Sequence, residues 1–189
     1  SFKMDTQPKF DELNREFTIN DQKIISVTEV LMTAGLVNQD YFTEEGRVRG
    51  TAVHQASDLL IRKNLDWDSV HPKCFGFVKA AESFLLTTKA IPILKLCDKR
   101  DYHRALNYVG KPDWFVVLNG KPALIEIKTG ESSTANLQTA AYAELPSFKV
   151  YNPIRFLLKL REDGSYRLIK HDNPNDFPLF VKYLSQCKK

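Results

Sequence analysis

The sequence has few cysteines, no long apolar run and no strong excess of one charge sign. It has 189 residues but only three cysteines, Cys74, Cys97 and Cys187, and none of them forms a CxxC pair. This spacing argues against both a disulfide framework and a zinc ribbon. No apolar run reaches the ~20 residues of a membrane-spanning helix, and residues 1–10 lack the apolar core of a signal peptide. We therefore expect an intracellular protein with no membrane partner.

A strong excess of one charge sign is also missing, because 27 Lys and Arg residues face 23 Asp and Glu residues, for a net charge of +4. This mildly basic balance is compatible with a polyanionic partner but does not identify one. The hydrophobic and charged fractions, 43% and 26%, are those of a globular protein. A chain of this size can bury one core, so we expect a single domain over 1–189, with 1–24 as an N-terminal arm or short hairpin.

Helical patterns dominate the first half of the chain. Ser26 is an expected N-cap, with Glu29 three residues later, and Gly35 is expected to end the helix that follows. Apolar residues recur at helical spacing over 44–65 and over 75–88. This periodicity predicts two longer amphipathic helices.

The centre of the chain changes to the two-residue alternation that is typical of strands. Residues 94–103 and 108–118 alternate, and 123–127 is rich in apolar and β-branched side chains. Asn119-Gly120 joins the last two runs, and a tight primed turn requires the positive φ that Asn and Gly accept. The sequence therefore predicts an antiparallel hairpin around this dipeptide.

A second mixed segment follows the hairpin. Residues 132–145 are predicted to form a helix that Pro146 ends, followed by strands over 154–160 and 166–170 and a closing helix over 174–187. This order of elements predicts an α/β fold, or α+β sandwich, in which helices flank a mixed central sheet.

Charged side chains of the predicted hairpin form a candidate catalytic group. Side chains alternate along a strand, so Glu126 and Lys128 should project from one face while Ile125 and Ile127 pack behind them. The hairpin should bring Asp113 next to Glu126. Two clustered carboxylates suit a hard cation such as Mg²⁺ or Mn²⁺, which takes oxygen ligands.

Such a group suits the hydrolysis of a phosphodiester. The reaction requires charge neutralisation on the phosphate oxygens and activation of a water molecule, and a carboxylate-held cation does both. Lys128 would orient or deprotonate that water, because a nearby cation and the loss of solvent both disfavour a charged lysine. The alternative is that Glu126 and Lys128 form a solvated strand face with a weak salt bridge. The ExK spacing taken alone favours that alternative.

Four motifs together resemble the RecB-like branch of the PD-(D/E)xK nucleases, which includes phage exonucleases, the nuclease domain of bacterial recombination complexes and CRISPR-associated nucleases. The motifs are 49–54 (RGTAVH), 110–113 (GKPD), 125–130 (IEIKTG), and Gln138 with Tyr142. They occur in the order of that family, and the resemblance covers roughly 44–145, which is most of the chain. The resemblance implies a restriction-endonuclease-like core and a Mg²⁺- or Mn²⁺-dependent deoxyribonuclease.

The resemblance also implies roles for individual residues. The implied metal ligands are His54, Asp113, Glu126 and the backbone carbonyl of Ile127, and the implied catalytic residues are Asp113, Glu126 and Lys128. Gln138 and Tyr142 would line the site as substrate contacts, but one helical turn separates them and they can equally hydrogen-bond within helix-on-sheet packing. For His54 the alternative is a hydrogen-bonded packing residue.

Other candidates for the site carry no motif of their own. Those for DNA contact are Arg49 and Lys111, with Arg47, Lys121, Trp114 and Tyr108 behind them. Surface charge and core packing are the alternatives for these side chains. Asp98, with Glu82 on the preceding helix behind it, is the candidate upstream acid that could assist the metal site, and solvated charges are the alternative for both.

Some members of the branch hold an iron–sulfur cluster on four cysteines, which three dispersed cysteines cannot supply. We therefore expect no such cluster, and a phage-type exonuclease for DNA processing, recombination or replication in the cytoplasm of a bacterium or a phage-infected host. A site-specific or structure-specific endonuclease and a catalytically silent DNA-binding protein stay open as alternatives. A homo-oligomer and a recombination-protein partner also stay open.

Overall fold

The computed structural model of the protein describes residues 8–11, 16–37 and 43–187, which contain ten strands and six helices. The strands are β1 (Lys9–Asp11), β2 (Glu16–Ile19), β3 (Gln22–Ser26), β4 (Ile91–Pro92), β5 (Asp101–His103), β6 (Tyr108–Gly110), β7 (Trp114–Leu118), β8 (Lys121–Lys128), β9 (Ile154–Leu160) and β10 (Tyr166–His171). The helices are α1 (Val27–Thr33), α2 (Glu44–Ile61), α3 (Pro72–Thr88), α4 (Ala135–Ala143), α5 (Pro146–Lys149) and α6 (Asp176–Cys187), with 3₁₀ turns at Trp67–Ser69 and Leu94–Leu96.

The strands form two mixed sheets. The first sheet has the order β1-β2-β3-β6-β5, and β3 pairs with β6 in parallel while the other neighbours are antiparallel. The main sheet has the order β10-β9-β8-β7-β4, and only β8 and β9 are parallel. Helix α4 lies in the connection between these two strands, because a parallel pair requires a crossover. The expected mixed sheet with flanking helices is confirmed at this level.

Helices cover both faces of the main sheet. Helices α2 and α3 pack on one face through a core that includes Val53 and Phe84 on the helices and Trp114, Ile125 and Ile127 on the strands. The opposite face carries a second core, to which α1, α4, α5 and α6 contribute. None of the helices in the described part of the chain is both long and apolar enough to cross a lipid bilayer.

Two local signals in the sequence are confirmed by the backbone. Ser26 Oγ accepts a hydrogen bond of 3.2 Å from the Glu29 N–H, and the Glu29 carboxylate accepts one of 2.8 Å from the Ser26 N–H, which is a complete capping box. Asn119 and Gly120 have φ values of 49° and 75°, as a primed hairpin turn requires. These short-range motifs fix the start of α1 and the register of β7 with β8.

Of the N-terminal arm or hairpin expected over 1–24, the segments 1–7 and 12–15 lie outside the described residues. Strands β2 and β3 form a hairpin whose turn residues, Asn20 and Asp21, both have positive φ. Ile24 is fully buried beside Tyr102 and Val109. The end of this segment therefore belongs to the first sheet and its core.

Two predicted strands and one predicted helix end differ from the structure. Residues 94–103 are not one strand, because Leu94–Leu96 is a 3₁₀ turn and Asp98 takes a φ of 53°. The run 108–118 is two strands in different sheets, because Pro112 interrupts it and has no N–H for a ladder. Pro146 does not simply end a helix: α4 stops at Ala143, and Pro146 occupies the first turn of α5.

Candidate active site

Asp113 is fixed through both of its carboxylate oxygens. It lies immediately before β7, where continuing the β7–β8 register by one residue places it opposite Glu126. Its Oδ2 accepts a hydrogen bond of 2.7 Å from the Ile127 backbone N–H, and its Oδ1 lies 2.8 Å from His54 Nδ1. Asp113 therefore joins α2 to the end of the β7–β8 hairpin.

His54 reaches this carboxylate from α2, and its side chain is 31% exposed. An ionised carboxylate only accepts hydrogen bonds, so the Nδ1 of His54 carries a proton in this pair. The charge of Asp113 raises the pKa of His54 against the opposing effect of burial. In the neutral ring, Nε2 is then the nitrogen with a lone pair available to a cation.

Glu126 and Lys128 lie side by side at the end of β8, as their spacing predicts. Glu126 Oε1 accepts a hydrogen bond of 2.8 Å from Lys128 Nζ, and the Glu126 side chain is only 4% exposed. The other oxygen, Oε2, is buried and has no hydrogen-bond partner within the described residues. A buried carboxylate oxygen without a donor is costly, so this atom is the strongest local indication of a missing electropositive ligand.

The pKa values of Glu126 and Asp113 are shifted in opposite directions. Burial and the negative charge of Asp113 together raise the pKa of Glu126 to about 7. Burial also acts to raise the pKa of Asp113, but His54 and the Ile127 N–H outweigh it and lower that pKa. Two neighbouring carboxyls that titrate far apart are typical of functional sites.

The sequence predicts that the charged form of Lys128 is disfavoured, but the surroundings of Lys128 in the structure favour it. Burial acts to lower its pKa, but the charge of Glu126 and the hydrogen bond to it raise the pKa overall. The side chain is therefore a charged ammonium in this arrangement. Its chemistry is that of a hydrogen-bond donor and a positive charge, and not that of a proton acceptor.

The donor chemistry of the site fits a hard divalent cation, although the side chains now contact one another. Within the described ranges, no three His, Cys, Asp or Glu side chains form a group that could enclose an ion as they stand. His54 instead contacts Asp113, and Lys128 contacts Glu126. Carboxylate oxygens, an imidazole and a backbone carbonyl are nevertheless suitable donors for Mg²⁺ or Mn²⁺, and the buried Glu126 Oε2 has no competing donor.

Gln138 and Tyr142 form a buried pair on α4. Gln138 Nε2 donates a hydrogen bond of 3.0 Å to the Tyr142 hydroxyl, and both residues are less than 10% exposed. Burial raises the pKa of Tyr142 strongly, and the charge of Glu126 adds to that effect, which puts the phenol near the site. A Cβ at Gly110 would lie 2.6 Å from the Tyr142 ring, so the motif glycine makes room for this tyrosine.

The structure does not bring the basic candidates into the group of His54, Asp113, Glu126 and Lys128. The Arg49 guanidinium lies over the Phe77 ring on α3, at 5.2 Å. Lys111 pairs with Asp98 and Arg47 with Glu44, while Lys121 is exposed at the opposite end of β8. The upstream acid Glu82 pairs with Lys79 on its own helix. Asp98 is still close to the site through its backbone, because its N–H donates to the Asp113 carbonyl at 3.0 Å.

The two aromatic candidates for base stacking are core residues, and that hypothesis is wrong for both. Trp114 is fully buried and packs near Phe84. Tyr108 is also fully buried, and its hydroxyl donates to the Ala141 carbonyl at 2.7 Å. Their strand positions point into the two cores, where bulky aromatic side chains contribute the most burial.

A basic residue that no sequence pattern indicated, Lys159, lies beside Lys128. The parallel register of β8 with β9 places the two residues opposite each other. They are 31 positions apart in the chain, so only the pairing of the two strands could have revealed this neighbour.

Comparisons with known proteins do not identify the chain. No protein-family model matches it, and no curated protein matches it. It is similar to a solved structure described as "Crystal structure of SSO0001", with 15% identity and a TM-score of 0.43, over 89% of this chain and 76% of that chain. A likeness this weak carries no argument about family or chemistry.

Proposed function

We propose that the protein is a metal-dependent deoxyribonuclease with a restriction-endonuclease-like core, and that it hydrolyses DNA phosphodiester bonds as an exonuclease. The observation that carries the proposal is the convergence of His54 on α2, Asp113 just before β7, and Glu126 and Lys128 on β8. They meet around a buried carboxylate oxygen that has no hydrogen-bond partner among the described residues. The resemblance of the four motifs to RecB-like nucleases supports the same chemistry. The exonuclease mode rests on that resemblance alone.

The groups that would hold Mg²⁺ or Mn²⁺ are Asp113, Glu126, His54 and the Ile127 carbonyl. The bound cation would supply charge neutralisation at the phosphate and a more nucleophilic water molecule. Asp113 is oriented by the imidazole of His54 and by the Ile127 N–H, so its carboxylate is held before any ligand binds. Such preorganisation reduces the reorganisation required during the reaction.

Lys128 would act on the phosphate and the water. As the oxygen of water attacks phosphorus, negative charge grows on the phosphate oxygens and on the departing sugar oxygen. The charged ammonium of Lys128 can donate hydrogen bonds to these oxygens and to the attacking water. Its present partner, Glu126 Oε1, holds it at the site until substrate binds.

A cleavage assay on two forms of DNA tests this function. End-labelled linear DNA and covalently closed circular DNA are incubated with the protein and Mg²⁺, Mn²⁺ or EDTA. We expect progressive shortening of the linear DNA with either metal, intact circles, and no reaction in EDTA. Cleavage of circular DNA would show that the protein is an endonuclease and not an exonuclease. If both forms of DNA stay intact with both metals, the proposed nuclease activity is refuted.

A further inference from the structure

Three basic side chains lie in register across the main sheet, starting at the candidate active site. Lys128 on β8 is opposite Lys159 on β9, and Lys159 is opposite Arg167 on β10. Paired positions project from the same face, and neighbouring strands are ~4.8 Å apart, so the backbone at Arg167 is roughly 10 Å from that at Lys128. These three residues are called the basic row.

The basic row lies on the face of the sheet opposite the core of α2 and α3. Leu158 and Leu160 alternate with Lys159 along β9 and are buried in that core, together with the partly buried Leu168 beside Arg167. Side chains alternate between faces, so Lys159 and Arg167 point away from it. Arg161, just beyond the end of β9, is exposed, and so is Arg167.

An exposed carboxylate contacts the middle residue of the basic row. Glu131, three residues after Lys128, forms an ion pair with Lys159 although its own side chain is 91% exposed. The hydrogen bond and charge of Lys159 lower the pKa of Glu131, and the positive charges of Arg167 and Arg161 lower it further. Three basic side chains therefore act electrostatically on Glu131, although Arg161 also acts on Asp163, and within the described ranges Glu131 is the carboxylate paired with Lys159.

We propose that Lys159, Arg161 and Arg167 bind a backbone phosphate of the DNA strand whose scissile phosphate lies at Lys128, and that this phosphate displaces the Glu131 carboxylate. The inference rests on the proposed function for the position of the scissile phosphate. One strand of DNA advances about 3.4 Å along the helix axis per nucleotide and also turns about that axis, so a separation of roughly 10 Å corresponds to phosphates about one to two nucleotides apart. The basic row would then set the direction in which the strand leaves the site.

The excess of positive charge is the reason for choosing a phosphate backbone as the ligand. Phosphate contacts from Lys and Arg release counterions and provide affinity that does not depend on base sequence. Arginine also presents a planar fork of donors that matches phosphate oxygens. The ion pair of Lys159 with Glu131 already places a carboxylate oxygen at this position.

The test compares Arg167→Glu with Lys121→Glu. Both variants change the net charge by the same amount, but Lys121 lies at the far end of β8, about 23 Å from Lys128 along the strand. Binding of a fluorescein-labelled single-stranded DNA is measured by anisotropy in EDTA over a series of salt concentrations. We expect Arg167→Glu to weaken binding about tenfold or more and to reduce the log–log salt slope by about 0.7, with Lys121→Glu close to wild type.

A second pair of variants tests the displaced carboxylate. Glu131→Gln removes the competing anion and should tighten DNA binding by about two- to fivefold at low salt. Glu16→Gln, which neutralises an exposed carboxylate paired with Lys23 in the first sheet, should leave the affinity unchanged. Equal effects of the two variants would show that net charge, and not the basic row, determines affinity.

The outcomes separate this inference from the proposed function. If wild type cleaves DNA and Arg167→Glu binds and cleaves like Lys121→Glu, the phosphate site is refuted and the nuclease stands. If Arg167→Glu selectively loses DNA binding but wild type never cleaves with Mg²⁺ or Mn²⁺, the phosphate site stands and the nuclease is refuted. Absence of DNA binding by wild type at low salt would overturn the phosphate site directly.

Discussion

Glu126 is the residue at which stability and function conflict most clearly. Its carboxylate is almost fully buried, faces Asp113, and has one oxygen without a partner among the described residues. A sequence selected for stability alone would avoid such a group, because burial and a neighbouring like charge both disfavour the ion. Departures of this kind are expected at functional sites, where a ligand supplies the missing interaction.

The raised pKa of Glu126 predicts that this group makes the fold less stable as the pH rises, whereas a carboxyl with a lowered pKa does the reverse. Its pKa is raised from 4.5 to about 7 in the fold, so the folded state holds this proton more tightly than the unfolded chain does. The free energy of unfolding should therefore fall as the pH rises from about 4.5 to about 7, by on the order of 2–3 kcal/mol from this group. Glu126→Gln cannot ionise, so it should lose this decline and be equally or more stable than wild type at pH 7.5.

Urea unfolding in EDTA across this pH range measures the effect. Asp113, whose pKa is lowered, contributes stability that is lost only as the pH falls below about 3.8, outside the range. His54, whose pKa is raised, loses its contribution only above about 6.5. Glu131→Gln, at an exposed carboxylate, is the matched control and should keep the decline. If Glu126→Gln is much less stable than wild type at pH 7.5, the role of Glu126 is that of a structural salt-bridge partner of Lys128.

At the scale of the elements, α3 approaches the turn between β9 and β10 through Gly76. A Cβ at this position would lie 1.7 Å from the Glu162 carbonyl oxygen. Backbone atoms cannot move aside as a side chain does, so the helix and the turn would have to separate. Gly76 therefore allows α3 to cover the main sheet closely.

Two alanine substitutions in helices should act with opposite sign. Alanine favours a helix over glycine by about 1 kcal/mol, and Gly50→Ala in α2 meets its nearest atom, Thr129 Oγ1, only at 4.0 Å. We expect Gly50→Ala to stabilise by about 0.5–1 kcal/mol and Gly76→Ala to destabilise by about 1–3 kcal/mol. Chemical denaturation of both variants measures this difference. Stabilisation by Gly76→Ala would show that α3 does not pack against the turn in this way.

Elements with local signals could be predicted from the sequence, and those with distant partners could not. The capping box at Ser26 and the Asn119-Gly120 turn involve residues within a few positions of each other. The alternation that places Glu126 beside Lys128 is equally local. The pairing of β3 with β6, and of β8 with β9, depends on contacts between distant segments, so the cross-strand neighbour of Lys128, Lys159, was not predictable.

At the scale of the whole molecule, the site joins elements from both halves of the chain. His54 on α2 and Asp113 before β7 are 59 residues apart, and their contact forms only when α2 packs on the main sheet. The resemblance placed both residues at one metal site, so their proximity was predictable but the hydrogen bond between them was not. The burial of Trp114 and Tyr108 was not predictable in the same way, because an alternating strand has the same pattern whichever face is covered.

Metal binding should stabilise the whole fold through this site. A ligand that binds only the folded state adds about 2.7 kcal/mol when its concentration is 100 times its Kd. For a chain of this size we expect saturating Mn²⁺ to raise the Tm by about 5–10 °C, reversibly with EDTA. Glu126→Gln should lose this shift, whereas Glu131→Gln should keep it. An equal Mn²⁺ shift in Glu126→Gln would place the metal elsewhere in the chain.

The most direct measurement is the rate of DNA cleavage by Lys128→Ala beside Lys121→Ala, with Mg²⁺ or Mn²⁺ at saturating DNA. Both variants remove one lysine from β8, but only Lys128 lies at the candidate active site. We expect Lys128→Ala to lose about 10²-fold or more in rate while keeping the Mn²⁺-induced shift in Tm, because the lysine is not a metal ligand. Lys121→Ala should cleave like wild type. Near-normal cleavage by Lys128→Ala would contradict the assignment of the active site.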